Sequence, residues 1–292
     1  QQLGRTFATD NDKEIINLDD YRKRYALYRT DADLQAAHQR HPFIVIWDDH
    51  ELSNDTWEAG ADNHQEDEGS FIERKLAALQ AYFEWMPIRP VAENDHLNIY
   101  RQFDFGGLVN LMMLDTRILA RHKQLNYNDY MTATGIDAVK FQTDLLNPQR
   151  TLMGVAQRQW LQGQLMQSTA PWNVLGQQVL MAKMLIPQEL LLLLGQITNG
   201  DQRPETLAQM KQKITELLTL KMRLKANDPT LTAMDKARLR AVAPYNLDAW
   251  DGYAYDREVV YGALQQQEKK AVVLAGDTHN AWAASLHTHE TN

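Results

Sequence analysis

Residues 43–55 read FIVIWDDHELSND, and residues 272–279 read VVLAGDTH. In each, a short apolar run breaks into hard oxygen donors and an imidazole. A few consecutive β-branched and aromatic residues bounded by polar ones read as a buried strand. Residues 43–47 therefore predict one strand, followed by Asp48, Asp49, His50, Glu51, Asn54 and Asp55. Residues 271–275 predict a second, followed by Gly276, Asp277, Thr278 and His279. Gly276 is expected to turn the backbone sharply enough for Asp277 and His279 both to reach inward. A lone Asp-Asp-His is also what a solvated turn or helix cap looks like, and Gly-Asp turns are common. Recurrence of the same strand-to-ligand arrangement makes the pair a candidate site. Carboxylate and amide oxygens suit Ca2+ or Mn2+, and imidazole adds affinity for iron or zinc. Asp48 and Asp49 stay open as alternatives, because neighbours on extended chain point oppositely.

Outward from these motifs, residues 108–114 (LVNLMML) and 172–181 predict two further buried strands. A helix is expected after the Leu18-Asp19-Asp20 cap, with Tyr21, Tyr25 and Tyr28 at helical spacing. A short one at about 33–40 is stopped by Pro42. Residues 58–70 read as an acidic loop. Residues 70–85 form a helix with Phe71, Leu76, Leu79 and Phe83 inward, ended by Pro87. Residues 120–150 read as loop and short helix, and 155–168 as a helix with Trp160, Leu161 and Leu165 on one face. Over 204–224, Leu207, Met210, Ile214, Leu217, Leu218 and Leu224 define one apolar face. Shorter helices follow at 231–243 and 257–267. Strands separated by helices give an α/β chain, mixed layers around one sheet system. The strand-free block 184–243 reads as a helical insertion, with the leucines of 190–194 packed rather than exposed.

The 292 residues allow two ordinary domains or one large α/β domain. A net charge of −8 excludes a uniformly basic nucleic-acid binder, and no specific nucleic-acid partner is expected. Such a chain still binds phosphate where metal ions supply the positive charge. The absence of cysteine excludes disulfides, thiolate zinc sites and a thiol nucleophile. Residues 1–20 are polar, so no export leader is expected within them. The run 186–194 is too short to span a bilayer, so no transmembrane segment is expected. If phosphate is the substrate, Arg89 and Arg117 are the candidate clamps, Arg117 reading more readily as a structural ion pair. His64, His96, His122, His287 and His289 lack a comparable setting and read as surface or loop residues. Trp47, Trp57 and Trp282 read as walls beside the motifs.

Several segments resemble the PhoD-type alkaline phosphatases. They are Asp20-Tyr21-Arg22 through Arg29, residues 34–38, Trp47-Asp48-Asp49-His50-Glu51 with Asn54-Asp55, Ala81-Tyr82 and Met86-Pro87-Ile88-Arg89. Further on come Tyr100-Arg101, Leu114-Asp115-Thr116-Arg117, Gln159-Trp160-Leu161, residues 246–253, and Gly276-Asp277-Thr278-His279 with Trp282. The resemblance implies a calcineurin-like metallophosphoesterase sandwich of two mixed sheets flanked by helices, and hydrolysis of phosphomonoesters or phosphodiesters. It implies Ca2+ with Fe3+ at a multinuclear centre, Mn2+ or Zn2+ being the other ions of this chemistry. It makes Asp49, Asn54, Asp277 and His279, with Asp48, the metal ligands, and His50 the catalytic histidine. It also implies a periplasmic or extracellular location. Residues 1–292 are then expected to be part of one catalytic domain, with the family's upstream β-sandwich domain and first metal-ligand segment absent. Two rivals stand beside this: a non-catalytic calcium-binding α/β domain, and another metallohydrolase such as an amidohydrolase, whose sites are richer in His-Xaa-His.

Overall fold

A computed structural model describes residues 11–93, 95–132, 135–198 and 200–288. The first helix, α1 (Leu18–Tyr28), starts at Asn17: the Asn17 side chain accepts from the Asp20 N–H, and Asp20 reaches back in a capping box. α2 (Ala32–Arg40) is capped by Asp31 and α3 (Phe71–Trp85) by Ser70. α3 buries Phe71, Ala78, Leu79 and Tyr82 against Tyr21, Trp47, Leu52 and Ile118, whereas Leu76, expected inward, is exposed.

The main sheet contains β1 (Arg101–Phe105), β2 (Val109–Met113), β5 (Trp172–Gly176) and β8 (Ala271–Leu274), in that order. β1 and β2 form an antiparallel hairpin; β2, β5 and β8 run parallel. Gly106 and Gly107, at φ 57° and 71°, make the hairpin turn, a left-handed pair that glycine adopts without steric cost. β3 (Met131–Thr132) and β4 (Gly135–Ile136) form a small separate ribbon. The β2-to-β5 connection carries α4 (Ala138–Leu145) and α5 (Gly154–Gln167). The β5-to-β8 connection carries β6 (Leu185–Pro187), α6 (Gln188–Thr198), α7 (Pro204–Lys225), α8 (Ala233–Arg240), β7 (Val242–Pro244) and α9 (Ala254–Gln266). α5 and α9 cover the sheet, burying Leu161, Leu165, Val260 and Tyr261 with Met112, Leu175 and Trp250.

Four expectations need correction. Residues 43–47 are not a strand: they join no ladder, and Phe43 and Ile44 are exposed. An apolar run becomes a strand only beside a partner edge, and here side chains take the place of one. Arg101 Nη2 donates to the Val45 carbonyl at 2.6 Å, and Gln178 Nε2 to the Trp47 carbonyl at 2.7 Å. Second, the expected α/β architecture of a mixed sheet flanked by helices is present, but the described residues form one four-stranded mixed sheet and two small ribbons, without the second face-to-face sheet. Third, β5 ends at Gly176, and residues 177–181 leave the ladder. Fourth, the block 184–243 is not strand-free, because β6 and β7 pair antiparallel at its two ends and close it as a loop of three helices.

Candidate metal centre

The C-terminal ends of parallel strands in an open α/β sheet are where ligands gather. β2 leads into Asp115-Thr116-Arg117, β5 into Gln177-Gln178 and β8 into Gly276-Asp277. Gln178 joins all three and brings in the 43–55 segment. Its Oε1 accepts from Thr116 N at 2.9 Å and Thr116 Oγ1 at 2.5 Å, its Nε2 donates to Trp47 O, and its carbonyl accepts from Gly276 N at 2.9 Å. Gln177 adds bonds to Val179 and to Trp250 Nε1. Sequence reading placed both glutamines inside a strand and missed this role.

Residues 49–55 form a turn braced by Asp49. The Asp49 carboxylate accepts from His50 N at 2.8 Å and Asp55 N at 2.9 Å, and its carbonyl from Leu52 N and Ser53 N. Because the chain turns here, Asp48 and Asp49 face the same space. Asp48, Asp49 and Asp277 offer oxygens all within 4.8 Å of one another, the one such group among the described residues. The β8 end turns through Asp277 and His279, which adopt left-handed φ of 66° and 54°; Gly276 does not. Asp55 is also left-handed, at φ 50°, so three of the five non-glycine residues in this region of φ among the described residues sit at the two motifs.

Arg117 lies at the centre, with no exposure. Nε donates to Asp48 Oδ1 at 2.7 Å, Nη1 to Asp248 Oδ1 at 2.8 Å and Nη2 to Asp277 Oδ1 at 2.7 Å. Arg121, also fully buried, donates to the same Asp248 oxygen. Five carboxylates, those of Asp48, Asp49, Asp55, Asp248 and Asp277, thus share two guanidinium charges. The imbalance shows in their acidities. Burial, and then repulsion by Asp248, pushes Asp55 up to about 7. Burial pushes Asp277 up to about 6 against the pull of Arg117. Burial also raises Asp48, again against Arg117. For Asp248, burial opposes ionisation, but Arg121 and Arg117 outweigh it and hold its carboxyl below the usual value. An oxygen-only group short of positive charge fits a hard cation of the calcium or manganese type.

The remaining predicted site residues stand around this group. His50 is exposed at the rim, its Nε2 3.8 Å from Asp49 Oδ2. Asn54 is half-buried and lines a cavity of about 590 Å3 with His50, Tyr21, Tyr25 and Arg74. His279 is exposed and outside the carboxylate group. Arg89 is exposed on the loop after α3 and joins none of the Arg117 bonds. The reading of Arg117 as an ion pair holds, with three partners rather than one. Trp47 is fully buried, while Trp282 is 55% exposed. His289 lies outside the described residues. Asp55 was among the donors that the sequence offered after residue 47, and Asp248 lay in a segment of the resemblance without a role, whereas Arg121 carried no signal in the sequence.

The sequence matches the PhoD-like phosphatase family over residues 1–292. It is 35% identical over 282 residues to alkaline phosphatase D of Bacillus subtilis (strain 168), covering 96% of this chain and 38% of that protein. A solved structure described as "Structure of PhoD" superposes with a TM-score of 0.68 at 32% identity, covering 97% of this chain and 43% of the other. The chain therefore spans about two fifths of the length of the curated relative it matches. A family match over its whole length, together with a shared fold, means that this chain belongs to the PhoD-like phosphatase family.

Proposed function

We propose that this chain is part of the catalytic domain of a metal-dependent phosphoester hydrolase of the alkaline phosphatase or phosphodiesterase type. The observation that carries the reading is the convergence of Asp48, Asp49 and Asp277 behind three parallel strand ends in a chain of this family. When bound, a cation supplies Lewis-acid activation of water and neutralises phosphoryl oxygens. Asp48, Asp49 and Asp277 would hold it, and Asn54 and His279, the latter outside this carboxylate group, are assigned as further ligands on the resemblance. Ca2+ with Fe3+ is the pair we assign on resemblance, Mn2+ or Zn2+ being the alternatives. The carboxylates suit the harder ion, and an imidazole the iron. Arg117 cannot clamp phosphate while its three nitrogens hold three aspartates, so it positions Asp48 and Asp277. Arg89 is assigned to a non-bridging phosphoryl oxygen.

His50, exposed beside Asp49, is assigned to protonate the leaving alkoxide. Three hydroxyls beside the motifs are engaged, Thr116 Oγ1 donating to Gln178, Ser53 Oγ to the Asn63 carbonyl and Thr278 Oγ1 to Asn280, and Thr56 Oγ1 is buried with no base hydrogen-bonded to it. This favours direct attack by water over a covalent phosphoenzyme. The substrates are small phosphomonoesters or phosphodiesters, and the location is periplasmic or extracellular; both rest on the resemblance. Replacing His50 with Ala in the metal-loaded protein should lower turnover by about 100-fold. The loss should be greater for alkyl esters than for aryl esters, whose leaving groups need less proton assistance. Undiminished turnover at unchanged metal content removes His50 from this role.

A second reading has one observation in its favour. Three carboxylates tied by one buried guanidinium also describe a structural knot, as in a non-catalytic calcium-binding domain. Elemental analysis with an esterase assay separates the two: calcium alone, without turnover, supports the knot.

A further inference from the structure

α7 does not present its apolar side chains as one buried face. It buries Thr206, Leu217 and Leu220, while Leu207, Ile214, Leu218 and Met222 are 46%, 41%, 60% and 67% exposed. Steps of three, four and seven residues keep side chains on one side of a helix, so these four form a single stripe. Lys211, Lys221 and Lys225 fall on the same stripe by the same spacing, and all three are exposed. The stripe is about 27 Å long at 1.5 Å per residue.

The charges of α7 are sorted. Lys213 pairs with Glu189 and Glu216, and Arg223 with Asp228. Glu216 also binds Arg238 of α8. Among the described residues Lys211, Lys221 and Lys225 have no ion pair, and neither acid of α7, Glu205 or Glu216, shares their side of the helix. In a chain of net charge −8 this is a local reversal of sign. No described helix is long and apolar enough to cross a membrane.

We propose that this face of α7 docks in the plane of an anionic lipid surface. Leucine, isoleucine and methionine enter the headgroup boundary, and lysine stems lie along them with the ammonium groups reaching lipid phosphates. The pattern argues against the other occupants. A second copy packed antiparallel about the middle of the stripe sets Lys211 against Lys221. A soluble polyanion leaves four exposed apolar side chains in water. The inference does not depend on what the metal centre does.

The test is sedimentation of the full chain with vesicles of phosphatidylcholine alone and of equimolar phosphatidylcholine and phosphatidylglycerol. Binding is expected to the anionic vesicles only, weakening as salt rises. Replacing Lys211, Lys221 and Lys225 together with Gln should lower the partition coefficient on the order of 100-fold, about fivefold per lysine. Leu218→Glu with Met222→Glu should abolish binding. Both sets lie in solvent, so far-UV circular dichroism and hydrolysis of a soluble aryl phosphate should be unchanged. The proposal is overturned by no pelleting, by equal pelleting with neutral vesicles, or by variants that pellet like the parent. It is also overturned if the parent is a dimer that Leu218→Glu dissociates, making the face a self-interface. Binding that survives Leu218→Glu and is competed by polyphosphate assigns the lysines to a polyanion, which overturns it as well.

Discussion

One side chain, that of Arg117, sets the geometry of the centre. It holds aspartates from the segment after residue 47, the segment after β7 and the end of β8, the last 160 residues away in the chain. Burial weakens its hold on its proton, but Asp248, Asp48 and Asp49 more than restore it, so the guanidinium holds its proton more tightly than in water. Removing one partner of a buried charge group costs far more than the group contributes when intact, because the remaining charges are left unpaired. Arg117→Met in metal-stripped protein should therefore lose about 3–5 kcal/mol of stability in urea unfolding. Arg117→Lys should recover only part of this, because an ammonium cannot span three carboxylates in the directions of a guanidinium fork. A loss below about 1 kcal/mol for the Met variant would show the carboxylates finding water instead of desolvated strain. The sequence marked this arginine as an ion-pairing residue after a strand, but not its partners, which come from three distant segments.

At the scale of elements, the strand ends are tied by side chains more than by ladder. Gln178 serves the ends of β2 and β8 and the Trp47 carbonyl at once, and is 3% exposed. Gln178→Ala leaves a buried carbonyl and a buried N–H without partners, at about 1–3 kcal/mol each. The expected result is a loss of about 3 kcal/mol in unfolding and faster amide exchange confined to residues 43–49 and 114–117. Exchange that rises uniformly would mean that Gln178 is not a local tie. What sequence could show divides along the same line. α1, α3, α5 and α9 were legible because caps and 3.6-residue periodicity are local, and β2, β5 and β8 because each is a compact apolar run. Residues 43–47 have the same composition as a strand but no partner edge, and partner edges are not written locally. β1 was missed although Phe103 and Phe105 alternate with Gln102 and Asp104 at the strand period and Gly106-Gly107 is a hairpin signal, both available in the sequence. On α7, Leu207, Ile214 and Leu218 have the periodicity of a core face, yet the structure leaves them in solvent; periodicity shows which residues share a side, not what covers it. The carboxylates were legible as strand-end donors. The roles of Gln177, Gln178, Asp248 and Arg121 were not, since they exist only through their tertiary partners.

Over the whole molecule, the charge imbalance at the centre predicts how stability depends on pH. An unfolded aspartate titrates near about 3.9. In the folded, metal-stripped chain burial places Asp277 at about 6 and, with repulsion from Asp248, Asp55 at about 7. Burial shifts Asp48, Glu51, Asp115 and Asp251 in the same direction. Between roughly pH 4 and pH 7 the folded state then binds more protons than the unfolded one, and stability falls as pH rises through that window. Asp248, held low by its arginines, has the opposite sign, but its contribution is lost only as pH falls below the unfolded value, outside the window. A net charge of −8 adds self-repulsion in the same direction as the raised groups. A cation that binds ionised carboxylates competes with these protons, so its stabilisation should grow with pH and reverse the slope. Melting temperatures of chelator-treated protein should therefore be higher near about pH 5 than near about pH 8, and saturating calcium should raise the second far more than the first. Chelated protein that becomes more stable across this window would mean that the five carboxylates are already balanced by Arg117 and Arg121. The centre would then have no electrostatic demand for a metal ion.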